Sequence, residues 1–124
     1  MDIQAMNRAI HNVERELGNA LLSTDVWTVA EGESIAGYNS QPVACALFNQ
    51  ITAYENEALE QSDYPQLDKY YILDLQDGKM VIVIPLGEYV WEMLIDTKKA
   101  RLGLLLNITI PQMIEAFEKI IETG

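Results

Sequence analysis

The stretch MVIVIPLGEYVWEML, residues 80–94, decides the fold. Its Val, Ile, Tyr and Trp residues make it the most strand-prone window in the chain. Pro85 interrupts it, and a proline cannot donate to a sheet ladder. Pro and Gly both fall within the four residues PLGE, which reads as a turn between two strands, with Pro85 at the exit of the first. Met80, Ile82 and Ile84 share one face of that strand, and Val81 and Val83 share the other. In the following strand Tyr89, Trp91, Met93 and Ile95 oppose Val90 and Leu94. Apolar residues on both faces require both faces to be covered, and in a chain this short only helices are available to do it. Trp91 is therefore expected beneath a helical layer.

Working outward, KYYILDL (69–75) is a further strand, and Asp77-Gly78 in QDGK is a hairpin signal because both residues tolerate positive φ. Upstream, VWTVAEGESIAGYN holds two β-prone runs, 26–30 and 34–38, around a Gly-containing link. The first segment spaces Ile3, Met6, Ile10, Val13, Leu17 and Ala20 by three and four, one apolar helical stripe, and STD at 23–25 reads as its exit loop. A second helix opens in NSQPVACALFNQITAYENEALEQ, with Ser40 or Asn39 as cap and Pro42 in the first turn. Its main stripe is Val43, Leu47, Ile51, Tyr54 and Ala58, widened by Ala44 and Phe48. SDYPQLDK is a loop, and the tail IPQMIEAFEKIIETG is a third helix offering Ile110, Met113, Ile114, Phe117, Ile120 and Ile121. The order α-β-β-α-β-β-β-α makes an α+β domain over residues 1–124, an antiparallel sheet of about five strands between helical layers.

The 124 residues suit one domain, and 49% hydrophobic content is globular rather than disordered. No apolar run reaches the ~20 residues needed to span a bilayer, and no signal-peptide pattern opens the chain. The cytoplasm is the default compartment, since the lone Cys45 excludes an internal disulfide. A net charge of -11 repels nucleic-acid phosphates and disfavours anionic membranes, so neither nucleic acid nor membrane insertion is expected.

The residues offer little for catalysis. His11 has no second His or Cys nearby, which argues against a metal site and for a partly buried structural role. Cys45 has no neighbour in sequence to activate it and reads as a small packed residue. No G-x-G-x-x-G or phosphate-loop pattern is present, so no cofactor is expected. Asp74 with Asp77, and Glu88 with Glu92, are imaginable acid/base pairs, but turn and solvated-rim roles are commoner for such residues. The NIT at Asn107 matches a glycosylation acceptor and is read as coincidence.

The element order and two local patterns resemble the Roadblock/dynein light chain family. VWTVAEGESIAGYN looks like that family's first hairpin, and YVWEMLIDTKKARLGLLL like its last strand, charged loop and lead-in to the final helix. The likeness runs from about Asp2 to Ile121. The extra SDYPQLDK and the NITIP before the last helix depart from the pattern, leaving loop geometry and partner choice open. The resemblance implies a five-stranded sheet with the first and last helices on one face and the second on the other. It also implies a homodimer built from third strands paired edge to edge and second helices packed together. On those elements the candidate dimer residues are Tyr70, Ile72, Asp74, Phe48, Ile51 and Glu55. Functionally it implies a non-catalytic platform for a small Ras-like GTPase, or a structural subunit of a larger assembly such as a motor complex. Gln50, Glu57 and Arg101 are the candidate partner-binding residues.

The residues support a dimer independently. YYIL carries neither Pro nor charge, and an edge strand without such protection needs a cover, for which a second copy is the economical choice. Three functions remain in competition: a GTPase-binding adaptor, a structural subunit, and an enzyme or sensor using a cavity between sheet and helix. Of the three arginines, Arg8 and Arg15 belong to the first helix, and only Arg101 lies on a loop where an arginine finger would be presented.

Overall fold

The computed structural model describes residues 1–123. Strands β1 (Leu21–Thr28), β2 (Ser34–Tyr38), β3 (Tyr71–Asp74), β4 (Lys79–Leu86) and β5 (Tyr89–Asp96) form one antiparallel sheet in the spatial order β2-β1-β5-β4-β3. Helices α1 (Ile3–Leu17) and α4 (Ile110–Thr123) cover one face, and α2 (Pro42–Gln61) covers the other. The α+β architecture is the one expected from the element order. Gly124, at the end of the expected tail helix, lies outside the described residues.

Both faces of β4 and β5 are covered as their composition requires. Ile82, Ile84, Trp91, Met93 and Ile95 pack with α1 and α4, while Val81, Val83 and Val90 pack with Trp27 of β1 and Cys45 of α2. Trp91 is fully buried, its ring edge-on to Phe117 of α4 at 5.5 Å between centroids. Its indole N–H donates to Thr24 Oγ1 at 2.8 Å, and that hydroxyl donates to the Glu92 carbonyl at 2.7 Å. The polar end of the ring is thus satisfied inside the core, as a buried Trp requires.

The turn falls one step later than the position of Pro85 suggests. Pro85 pairs with Val90 inside β4, and the two-residue turn is Gly87-Glu88, with Gly87 at φ 60. The proline is tolerated because β3 begins at Tyr71, opposite Val83, so Pro85 stands beyond its end. In the alternating antiparallel pattern the missing N–H would face that open side. The β3–β4 connection has Asp77 and Gly78 at φ 62 and 71, as the hairpin signal required.

Three local expectations are corrected. Residues 23–25 are not an exit loop but the centre of β1, which starts at Leu21 directly after a tight turn, Gly18–Ala20. Ser23, Thr24 and Asp25 are buried, and the hydrogen-bond partners of Thr24 and Asp25 lie far away in sequence or across the hairpin. β3 is also shorter than 69–75. His11 is exposed on α1 beside Glu14, at 3.1 Å, rather than partly buried.

The NITIP segment has a mechanical role. A short helix α3 (Leu102–Leu104) runs through a wide π-helical turn, Leu105–Thr109, into α4. A proline inside a regular helix collides with the carbonyl four residues back. Widening the turn just before Pro111 accommodates the ring while the chain continues as helix.

Candidate protein-interaction site

Helix α2 does not sit on the sheet by its apolar stripe. The side chains turned toward the sheet are Cys45, Phe48, Asn49 and Thr52, and the polar ones among them are satisfied there. Asn49 accepts from the Trp27 indole N–H at 3.1 Å and donates to the Val29 carbonyl at 2.9 Å. Tyr71 and Thr52 hydroxyls lie 2.8 Å apart, and Thr52 donates to the Phe48 carbonyl at 2.8 Å. The stripe read from spacing is therefore left outside: Val43 is 73% exposed, Leu47 51%, Ile51 39% and Tyr54 72%. Isolated exposed apolar residues are ordinary, but a contiguous row of them along one helix marks an interaction surface.

This surface adjoins the free edge of the sheet. Thr52 meets Tyr71 of β3, and Ala44 and Phe48 line a cleft with Leu75 and Val81, so that flank of α2 leans toward β3. β3 is an outer strand. The Leu75 N–H reaches the Lys79 carbonyl at 2.9 Å, and alternation then turns the backbone groups of Leu73 and Tyr71 toward β4. Those of Ile72 and Asp74 are left on the open edge.

The candidate residues separate accordingly. Phe48, Ile51 and Glu55 share the β3-side flank of α2. Ile72 and Asp74 carry outward-facing backbone and Tyr70 immediately precedes the strand, although the Ile72 side chain packs toward the α1/α4 core and Tyr71 and Leu73 are the β3 residues facing α2. Gln50 and Glu57, seven residues apart, share the other flank of α2 and are exposed. Arg101 joins neither group. It lines a separate cleft with Glu16 and Leu17 at the end of α1, on the opposite side of the sheet.

The electrostatics of α2 are one-sided. It contains Glu55, Glu57 and Glu60 and no basic residue. The Glu55 Oε2 atom is buried and has no hydrogen-bond partner among the described residues, and desolvation raises the pKa of its carboxyl. A donor supplied from outside would satisfy it.

The N-terminus of α2 rests on Asp25, a residue that sequence reasoning placed in a loop. Asp25 accepts hydrogen bonds from Ser34 Oγ at 2.7 Å, Ser40 Oγ at 2.5 Å and the Gln41 N–H at 2.9 Å. Neither Ser40 nor Asn39 caps the helix. Gln41 occupies the cap position without a side-chain bond, and the carboxylate from β1 complements the positive helix end instead. Gly37 pairs with Asp25, and a Cβ there would lie 2.6 Å from Asp25 Oδ1 and 2.7 Å from the Thr24 carbonyl. Gly37→Ala should therefore cost ~1–3 kcal/mol, from strain and from disturbing this cage. An unchanged denaturation midpoint would show that the cage yields freely.

Glu92 also differs from its sequence expectation. It pairs with Asp25 across β1 and β5 and is 3% exposed, a buried acid rather than a solvated rim group. Burial, and then the Asp25 charge, push its pKa up to about 8. Cys45 lies under α2, pushed up to about 12 first by burial and then by Asp25, so its thiol stays protonated and suits the packed role read from sequence. Asp74 and Asp77 are exposed and form no pair.

Solved structures share this architecture. MglB of Myxococcus xanthus superposes with a TM-score of 0.83 at 13% identity, over 98% of this chain and 91% of that one. The gliding protein MglB of Thermus thermophilus gives 0.79 at 14% identity, over 98% and 92%. A Roadblock/LC7 domain from Streptomyces avermitilis gives 0.74 at 10% identity, over 94% and 97%. The fold is roadblock-like. No protein-family model matches the sequence, and a comparison with curated proteins finds no match. At such identities the likeness carries the fold alone. Among the described residues no helix is long and apolar enough to cross a membrane.

Proposed function

We propose that residues 1–124 form a single roadblock-like domain that acts as a non-catalytic, cytoplasmic homodimeric adaptor. In this reading it binds a small Ras-like GTPase and modulates that protein's nucleotide cycle or location. The observation that carries this reading is the surplus apolar stripe of α2 beside the unpaired edge of β3. Two copies related by a two-fold axis would join β3 to β3 through the outward backbone of Ile72 and Asp74, with Phe48, Ile51 and Glu55 of each α2 brought together above. A paired edge and a covered stripe remove both liabilities at once.

The dimer is tested by light scattering at tens of micromolar. The wild-type protein should run at twice the mass of the chain. Ile72→Pro deletes an outward-facing donor without taking one from the β4 ladder, and should give monomer or aggregate. A well-behaved wild-type monomer would remove the basis of the proposal.

The GTPase reading is supported by the family resemblance and by a surface with no chemistry of its own. Modulation in this case means binding one switch conformation better than the other, which shifts its population. Arg101 lies on the α1 side of the sheet, away from α2, so Arg101→Ala should leave most of any stimulation intact. Gln50→Ala and Glu57→Lys, on the exposed flank of α2, should weaken binding. The decisive measurement is GTP turnover by a co-purifying GTPase with each variant in saturating excess. A loss of stimulation on the order of a thousandfold with Arg101→Ala, at unchanged affinity, would mean an arginine finger instead.

A further inference from the structure

Between the first half of α2 and the sheet lies an open cleft of about 400 Å³, walled by Leu22, Phe48, Leu75, Val81 and Leu94, with Glu92 in its lining. We propose that this cleft is a binding site for a primary ammonium group carried on an unbranched apolar stem, with the Glu92 carboxylate as its counter-ion.

The Glu92 carboxyl has no protein partner. The residue is 3% exposed and no side-chain hydrogen bond of the described residues ends on its carboxylate, yet its oxygens are not among the fully buried polar atoms left without a partner, so they open onto the cleft. Its in-register neighbour Asp25 is already engaged by Ser34, Ser40 and the Gln41 N–H, and adds only negative charge. Amide donors near the cleft are committed elsewhere, Asn39 Nδ2 to the Leu22 carbonyl and Gln41 Nε2 to the Asn39 carbonyl. None of the ion pairs of the described residues includes Glu92, and Lys79 of the adjoining strand faces Asp96 at 3.9 Å. A buried acid without a partner stays protonated or acquires one from outside.

The walls select the rest of the ligand. Leu22, Ala44, Phe48, Leu75, Val81 and Leu94 outnumber the polar Ser23, Asn39 and Gln41 around a single acid, which matches an alkyl stem ending in one cation. Two adjacent acids and a chain of net charge -11 draw a cation rather than a neutral hydroxyl. The groups facing Glu92 are Asp25 from β1, Cys45 from α2 and Tyr71 from β3, whereas β4 presents Val83 and Val81 beside it and Lys79 farther along the same face, toward Asp96. Cys45 and Tyr71 are both pushed up to about 12 and stay neutral near pH 8, so Glu92 is the group whose ionisation admits the ammonium. Such a group is offered by a free alkylamine or by a lysine side chain of a docked polypeptide. The site does not depend on the GTPase, and its Phe48 wall is shared with the flank of α2 proposed for the dimer.

The test titrates n-hexylammonium into the isotope-labelled protein and follows the backbone amide shifts of Leu22, Phe48 and Leu94. Saturable shifts are expected, with affinity rising about tenfold per pH unit between pH 6 and 8 as Glu92 loses its proton. Glu92→Gln and replacement of the probe by 1-hexanol should each weaken binding by about tenfold or more at pH 8. Nα-acetyl-lysine methylamide separates the sources: binding comparable to hexylammonium means a lysine presented by a polypeptide, and binding of hexylammonium alone means a small amine. The proposal is overturned if hexanol binds as well as hexylammonium, if Glu92→Gln leaves binding unchanged, or if no saturable shift occurs.

Discussion

Replacing Trp91 with Ala should destabilise the protein by ~3–5 kcal/mol, the usual cost of emptying a fully buried aromatic site. The indole fills the space between β5 and α4, so its removal opens a void next to Phe117 and forfeits an edge-to-face contact worth ~0.5–1.5 kcal/mol in other proteins. It also leaves Thr24 Oγ1 without its incoming indole donor, although the Thr24 bond to the Glu92 carbonyl remains. Domains of this size are stable by only ~5–15 kcal/mol, so the variant would stand near the threshold of folding. Trp91→Phe separates the contributions. It keeps most of the ring packing and loses the N–H, and should cost far less than the alanine. Chemical denaturation of both variants is the measurement, and a Trp91→Ala change below ~1 kcal/mol would mean that the site collapses around the gap. In a background where Trp27 is replaced, a water-exposed emission maximum from folded protein would likewise refute the burial of Trp91.

Trp91 was legible in the sequence because its burial follows from strand period and from apolar residues on both faces, which are local patterns. The same holds for the Asp77-Gly78 hairpin, for the α1 stripe and for the element order. What was not legible depends on partners distant in the chain. Ser23, Thr24 and Asp25 have loop-like composition, yet Thr24 is satisfied by Trp91 and Glu92, and Asp25 by residues 34, 40 and 41. Near position 92 only the alternation with Val90 and Leu94, which places the Glu on a covered face, points to burial. That placement was the available signal: an acid between apolar same-face neighbours on a strand covered on both sides. In α2 the spacing identified a real apolar stripe but not which way it points. Thr52 and Asn49 look like surface residues until Tyr71, Trp27 and the Val29 carbonyl supply their hydrogen bonds, and that turns the stripe outward.

The pH dependence of stability should carry the signature of Glu92. Its pKa in the folded protein is about 8, against an ordinary value of 4.5 for the unfolded chain. Between these values the folded state holds a proton that the unfolded state has released, so stability falls as pH rises through the window. Each unit of difference is worth about 1.4 kcal/mol, and the loss completed above pH 8 is on the order of 3–5 kcal/mol. The sign is opposite to that of a paired carboxylate, which stabilises as it ionises. The cause is also distinct: desolvation beneath α2 comes first, and the Asp25 charge comes second. Glu92→Gln keeps the shape and removes the titration. Wild type and variant should therefore have similar denaturation midpoints near pH 4.5 and separate progressively toward pH 8.5, with the variant the more stable there. Comparing the two proteins cancels the contributions of the other acids, which a single curve cannot do. Saturating n-hexylammonium should narrow the separation by stabilising wild type alone at alkaline pH, because it binds the folded, ionised site. Parallel curves for wild type and Glu92→Gln across pH 5 to 9 would show that the carboxyl is solvated in the folded state, and that neither the raised pKa nor the ammonium site can stand.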